Sequence, residues 1–234
     1  AEGTPNFLNA YQNYPELKGI QTNLYKCFLP QAWLLLENKG ILGYIHPEGI
    51  YDDPKGGKLR SLVYKRLKAH YQFDNEKKLF PIGNTRKFSI NIYGNYQEKI
   101  DFINISNLFT PKTIDSCFVG EANVVAGGIK DEEGKWNTKG HKSRIVQVDE
   151  NLLGIYSKLY NEESQNIYEA KLPNIYLKEI GSVLKKISDF PKKFHQYKND
   201  ILISEMFHET NSQKLGVIKR ETNFPVGIEQ LVYS

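Results

Sequence analysis

Three groups of side chains could carry chemistry here. Asp52 or Asp53, together with Glu76-Lys77-Lys78, contains the parts of a metal-dependent nuclease. In such a site carboxylates such as Asp53 and Glu76 hold Mg²⁺ through oxygen, and a lysine such as Lys78 orients the attacking water. The chemistry requires Glu76 and Lys78 on one strand, and a charged strand edge in a lysine-rich chain gives the same tripeptide. Phe80 stands in the turn Leu79-Phe80-Pro81-Ile82-Gly83, where proline and glycine bound a ring that can face a cleft and stack on a planar partner. Its alternative is a core residue that closes a hairpin. Lys112, Lys130, Lys135, Lys139, Lys142 and Arg144 could contact nucleic-acid phosphate. Asp131, Glu132 and Glu133 interrupt that series, as in a solvated mixed-charge face. The histidines at 46, 70, 141, 195 and 208 fit no metal-ligand or nucleophile-base pattern and are expected to be structural or on the surface.

The 234 residues, 40% hydrophobic and 25% charged, are enough for one core or two modest ones. A net charge of +4 is compatible with nucleic-acid contact and falls short of a dedicated basic module. Cys27 and Cys117 stand far apart, so neither a disulfide framework nor a zinc site is expected, and a reducing cytoplasm is the simplest location. The apolar run Ala32–Leu36 is too short to span a bilayer, and no membrane association is expected. Ala1 is not an initiator methionine and the single methionine is Met206, so the chain is expected to be an excised internal piece of a longer protein.

The elements that would position these residues follow α/β grammar. Thr22 or Asn23 caps a helix running to about Asn38, with Pro30 expected to delay or kink it, and Ile41–His46 suits a buried strand. Leu59, Leu62, Val63 and Leu67 predict a helix up to His70. Strands are predicted at Tyr71–Leu79, Lys87–Tyr93 and Lys99–Ile105, linked by short turns into an antiparallel edge. Beyond Asn107, strands are predicted at Val124–Ile129 and Ser143–Val148. Helices are predicted at Glu150–Tyr160 and Ile175–Ile187, and a strand-like stretch at Leu215–Lys219.

Asn23-Leu24-Tyr25-Lys26-Cys27-Phe28-Leu29 followed by Gly40-Ile41-Leu42-Gly43-Tyr44-Ile45-His46-Pro47 resembles two neighbouring motifs of the DNA amino-methyltransferases. Asn13–Gly19, Ile45–Gly57 and Gly128–Asn137 resemble, more narrowly, large single-chain restriction-modification enzymes that methylate adenine N6 in DNA. The resemblance implies that Phe28 packs against the adenine of S-adenosylmethionine and that Asn23, Leu24 and Tyr25 line the same wall. It makes Ile41–His46 the fifth strand of the sheet, Gln72–Leu79 the sixth and Phe88–Tyr93 the antiparallel seventh. It also assigns Phe80 to stacking on the flipped-out target base.

The implied fold is α/β: the C-terminal half of a class I S-adenosylmethionine-dependent methyltransferase sheet with an antiparallel β-hairpin edge, followed by a mixed α+β segment. Residues 1–106 would be that half-domain, and residues 107–234 an insertion or helical connector and the start of a target-recognition region. Double-stranded DNA is the implied partner of the parent enzyme, with Mg²⁺ needed only for a cleavage activity. The family's glycine-rich cofactor loop and its Asn-Pro-Pro-aromatic tetrapeptide are absent from the 234 residues and are expected upstream of Ala1. No catalytic or metal-binding residue is therefore assigned within the chain, which alone is expected to be inactive and not to bind the cofactor tightly. The alternative is a DNA-binding or Mg²⁺-dependent nuclease segment built on Asp53, Glu76 and Lys78.

Overall fold

The computed structural model describes residues 7, 13–21, 23–119, 126–160, 166–192, 197, 199–200 and 208–218. Two compact units divide the chain, Ala1–Asp189 and Phe190–Ser234.

In the first unit, helix α1 spans Leu24–Leu35 and is capped by Asn23, whose side chain accepts from the Tyr25 N–H at 3.4 Å. Pro30 lies inside α1 with its ring buried, and the helix continues through it. Strand β1 follows at Leu42–Pro47, then a helical turn at Gly49–Asp52 and helix α2 at Gly57–Tyr64. Strand β2 occupies Leu67–Asp74, β3 Lys87–Tyr93 and β4 Asp101–Leu108. Helix α3 covers Lys112–Val119, strand β5 Val146–Asp149, helix α4 Glu150–Tyr160 and helix α5 Ile180–Asp189.

The strands form one mixed sheet in the order β1-β3-β2-β4-β5. β3 is antiparallel to both neighbours, with Ile90 opposite Ile45 on one side and Tyr71 on the other. β2 and β4 run parallel, pairing Ala69 with Ile103, and β4 and β5 run antiparallel, pairing Phe102 with Val148. The β2–β3 hairpin is therefore interior, and the expected run of three antiparallel strands is corrected: β4 crosses over to the far side of β2. The edges are β1 and β5.

The helix predicted to reach His70 stops at Tyr64, and the following strand begins four residues earlier than predicted, at Leu67. Leu67 continues the helical spacing of Leu59 and Val63, yet in β2 it is buried as a strand residue, as are Ala69 and Phe73. The strand expected from Ser143 begins only at Val146, because Lys142–Arg144 form a 3₁₀ turn, and the helix expected from Ile175 starts at Ile180. The strand predicted at Val124–Ile129 falls partly outside the described residues, and its described remainder is not strand.

Side chains alternate across the sheet, so one face of β3 carries Phe88 and Ile90 and the other Ser89, Asn91 and Tyr93. The first face packs Phe73, Phe88, Ile105, Leu108 and Cys117. The second packs Tyr93, Phe102 and Val148 beneath Tyr51, Leu59, Tyr64, Leu153 and Tyr156 of the covering helices. Strand β5 and helix α4 continue the sheet and core that β1–β4 begin. Arg60, 2% exposed, ties this layer together by donating to the carbonyls of Ile50, Asp53 and Glu169.

In the second unit α6 spans Glu209–Lys214, capped by the His208 ring, which accepts from the Asn211 N–H at 3.3 Å. Leu215 and Gly216 close that helix in a turn where a strand was expected, and Lys219 lies outside the described residues.

Candidate functional site

The carboxyl end of β1 and the loop between β2 and β3 line one open groove of about 700 Å³. Ile45, His46 and Pro47 form one wall, and Phe80, Pro81, Ile82 and Gly83 form the other. Arg86, Lys87 and Phe88 complete it. Phe80 meets Phe88 edge to face at 4.8 Å between centroids, and Phe88 in turn stacks on Phe73 at 5.3 Å. Phe80 keeps 38% of its surface exposed. It is anchored on one side and free on another, as a stacking platform requires. Of the two basic residues, Lys87 lies 3.8 Å from Asp74.

Behind this wall lies an aromatic series. His46 stacks against Tyr25 at 5.5 Å and against Tyr51 at 6.1 Å. Its Nε2 accepts from the Tyr93 hydroxyl at 2.9 Å while Nδ1 lies 2.8 Å from the Pro47 carbonyl, an arrangement that fits the neutral Nδ1–H ring. Burial lowers the His46 pKa to about 4. Burial, with Asp52, Glu48 and Asp53 nearby, pushes the Tyr25 hydroxyl up to about 12.

The sheet face beneath is polar and buried. Tyr51 donates to Asn91 at 2.5 Å, and Asn91 donates to Ser89. His70, 1% exposed, lies 2.7 Å from Asn104 Oδ1 and 3.2 Å from Glu48 Oε1. Burial alone would raise the Glu48 pKa, but the charge and hydrogen bonds of His70, with Ser89 and His46, outweigh it and the net shift is downward. This network holds Glu48, and hence the turn after β1, against the sheet.

The structure distributes the residues singled out from sequence unevenly. Phe80 lines the groove. Tyr25 turns inward and reaches the groove wall through His46, whereas Leu24 and Phe28, 55% and 53% exposed, lie one turn apart on the outer side of α1. Phe28 does not line the Phe80 groove. Asn23 serves as the helix cap.

The nuclease arrangement does not assemble. Asp53 pairs with Lys26 at 3.4 Å and caps the Pro54–Gly56 turn, while Glu76 sits in the 3₁₀ turn Asn75–Lys77 rather than on a strand, and Lys78 adopts a left-handed conformation. Among the described residues no group of three or more His, Cys, Asp or Glu side chains is placed to hold a metal ion. Arg144 is corrected from a phosphate contact to a buried residue, 1% exposed, that donates to the carbonyls of Ser106, Asn107 and Lys139. Lys135 pairs with Glu133 at 2.6 Å, and Lys130 lies over the Trp136 ring. Cys27 and Cys117 are buried free thiols. No described helix is long and apolar enough to cross a membrane.

Sequence reasoning missed Asn75, which is fully buried at the base of the Phe80 loop, and the Glu48–His70–Asn104 series. The second left a signal: Ser89/Asn91 and Asn104/Ser106 place polar groups at alternating inward positions of two strands.

No protein-family model matches the chain, and no curated protein does. Among solved structures it is similar to the type IIG restriction endonuclease BpuSI, with 14% identity, covering 49% of this chain and 14% of that one, at a TM-score of 0.33. It is similar also to the ATP-dependent type ISP restriction-modification enzyme LlaBIII bound to DNA, with 13% identity, 58% and 11% coverage and a TM-score of 0.31. A third similarity is to a structure of the type I restriction-modification system, with 13% identity, 87% and 42% coverage and a TM-score of 0.39. The chain spans less than half the length of each. Similarity of this degree decides neither fold nor activity.

Proposed function

We propose that this chain is part of a restriction-modification enzyme that transfers a methyl group from S-adenosylmethionine to adenine N6 in double-stranded DNA, and that it supplies one face of the target-base pocket. The observation that carries the reading is the shared groove: the carboxyl end of β1 and the ring of Phe80 line a single cavity. A base taken out of a duplex loses its stacking partners, and an aromatic face compensates by roughly 1–3 kcal/mol. Apolar walls of Ile45, Pro47, Pro81 and Ile82 suit a planar heterocycle, and Arg86 and Lys87 beside them suit the phosphates that accompany it. The sheet supports the same reading, since the strands that the resemblance makes fifth, sixth and seventh are neighbours, with the seventh antiparallel to the other two.

In this proposal Leu24 and Phe28, exposed on the outer side of α1, belong to the cofactor wall, Asn23 caps the helix that carries them, Tyr25 backs it from the inner side, and the parent's Asn-Pro-Pro-aromatic segment holds the target amine. S-adenosylmethionine supplies the methyl group, while the residues of this chain bind and orient the base. The 234-residue chain by itself should transfer no methyl group.

The test is transfer of tritiated methyl from S-adenosylmethionine to DNA by the complete parent protein. Phe80→Ala should lower kcat/KM by roughly 10- to 100-fold, as loss of one stacking face implies. Unchanged transfer by the variant, or a parent that methylates no DNA adenine, would refute the reading.

A further inference from the structure

The loop that carries Phe80 presents an unusual combination of apolar side chains left open and a main chain held closely. Leu79, Phe80 and Ile82 are 39%, 38% and 48% exposed, so the contact of Phe80 with Phe88 accounts for only part of the loop's conformation. One side chain makes four of the hydrogen bonds that hold it, beside the main-chain bonds from Ile82 N–H to the Phe80 carbonyl at 2.8 Å and from Arg86 N–H to the Gly83 carbonyl at 3.1 Å. Asn75, 0% exposed at the carboxyl end of β2, points its amide into the loop. Its Nδ2 lies 3.0 Å from the Phe80 carbonyl, 3.0 Å from that of Ile82 and 3.3 Å from that of Gly83. Its Oδ1 accepts from the Phe80 N–H at 3.1 Å. The Asn75 main chain closes the base of the loop, donating to the Arg86 carbonyl at 3.1 Å and accepting from the Lys78 N–H at 2.8 Å.

A carboxamide suits this place because it offers two donors and an acceptor in one plane. An aspartate would keep the acceptor for Phe80 N–H but would set a negative charge against three carbonyl oxygens. Fixing the Phe80 main chain on both its N–H and its carbonyl sets the direction from which the ring leaves the loop, and Phe88 supports one edge of it, so part of the entropy of ordering the platform is spent during folding rather than on binding.

We infer that Asn75 is the positioning residue of a preformed base-binding loop: through four contacts to the main chain of Phe80, Ile82 and Gly83 it holds the Phe80 ring ready to stack on an extrahelical purine nucleotide. This rests on the reading of the groove as a base pocket. Asn75 touches no base; it acts through Phe80.

The probe is a DNA duplex carrying 2-aminopurine at a mispaired, easily extruded position. The whole chain is titrated into it, with probe fluorescence reporting base capture and fluorescence anisotropy reporting total DNA binding. Hydrogen exchange of the amides of residues 79–86 is followed alongside. Asn75→Asp should weaken the 2-aminopurine response about tenfold and speed exchange in the loop, leaving anisotropy and the protection of β2 and β3 unchanged. Asn75→Gln, which displaces the amide by one methylene, should give the same split and serves if the Asp variant loses the sheet. A wild-type response that survives both substitutions, or loop exchange indifferent to them, overturns the positioning role alone. A wild-type chain that binds DNA without any 2-aminopurine response overturns the base-pocket reading and this inference with it.

Discussion

His46 shows how a single side chain can set the acid limit of the fold. Its ring is 3% exposed, sandwiched between Tyr25 and Tyr51 and hydrogen-bonded through both nitrogens, and it stays neutral with a pKa lowered by burial to about 4. In the unfolded chain the same ring titrates near 6.5. Below that pH the unfolded state takes up a proton that the folded state refuses, so stability is complete above about 6.5 and falls progressively toward pH 4. The loss should approach roughly 3 kcal/mol at the lower end. Glu48, whose pKa is shifted downward, adds a separate loss at more acidic pH, where the folded carboxylate must take up its proton. Urea melts between pH 7.5 and 4 measure the effect, and His46→Gln should flatten the upper part of the slope. Equal melting midpoints for the native chain across that range would contradict the assignment.

Among the elements, helix α3 is the one most constrained by a neighbour's main chain. Gly140 passes so close to it that an added Cβ would be driven into the main chain of Ser116 and Cys117, whereas at Gly83 the nearest atom to such a Cβ is a flexible part of Arg86 at 3.6 Å. Gly140→Ala should therefore force α3 and the Gly140 segment apart at a cost of roughly 1–3 kcal/mol, and Gly83→Ala should be nearly neutral. Thermal melts of the two variants compare them directly. This asymmetry between two glycines has no counterpart in the residues around them, and the same holds more widely. The cap of α1 was narrowed to Thr22 or Asn23, of which Asn23 serves, and the helix at Glu150–Tyr160 was legible, because both depend on residues within one turn. The end of α2 was not legible, since Leu67 satisfies a helical period and a strand period at once. Nor was the side of β2 on which β4 pairs, which a distant partner decides. In the site, Phe80 was singled out by the resemblance, since its flanking proline and glycine by themselves fit a core residue closing the hairpin as well. Asn75 was not, because an asparagine after a strand is what any turn prefers.

Taken whole, the first unit is covered unequally. Its second sheet face is closed by α2 and α4, and β5 ends the sheet on one side with only four residues. At the other end β1 pairs with β3 alone, so one row of its peptide groups has no strand partner among the described residues. Ile41 and Ile45 stand 75% and 56% exposed along it, and Leu34 and Leu35, at the end of α1, 79% and 83%. An uncovered strand bordered by aliphatic side chains is a template for another copy of itself. Sedimentation or light scattering should therefore show particle mass rising with protein concentration, and Ile41→Lys with Ile45→Lys should suppress the rise without lowering the melting temperature. If so, how long the purified chain keeps in a tube would be governed by crowding more than by heat: dilute samples would stay clear, and concentrated ones would turn cloudy while every molecule in them was still folded.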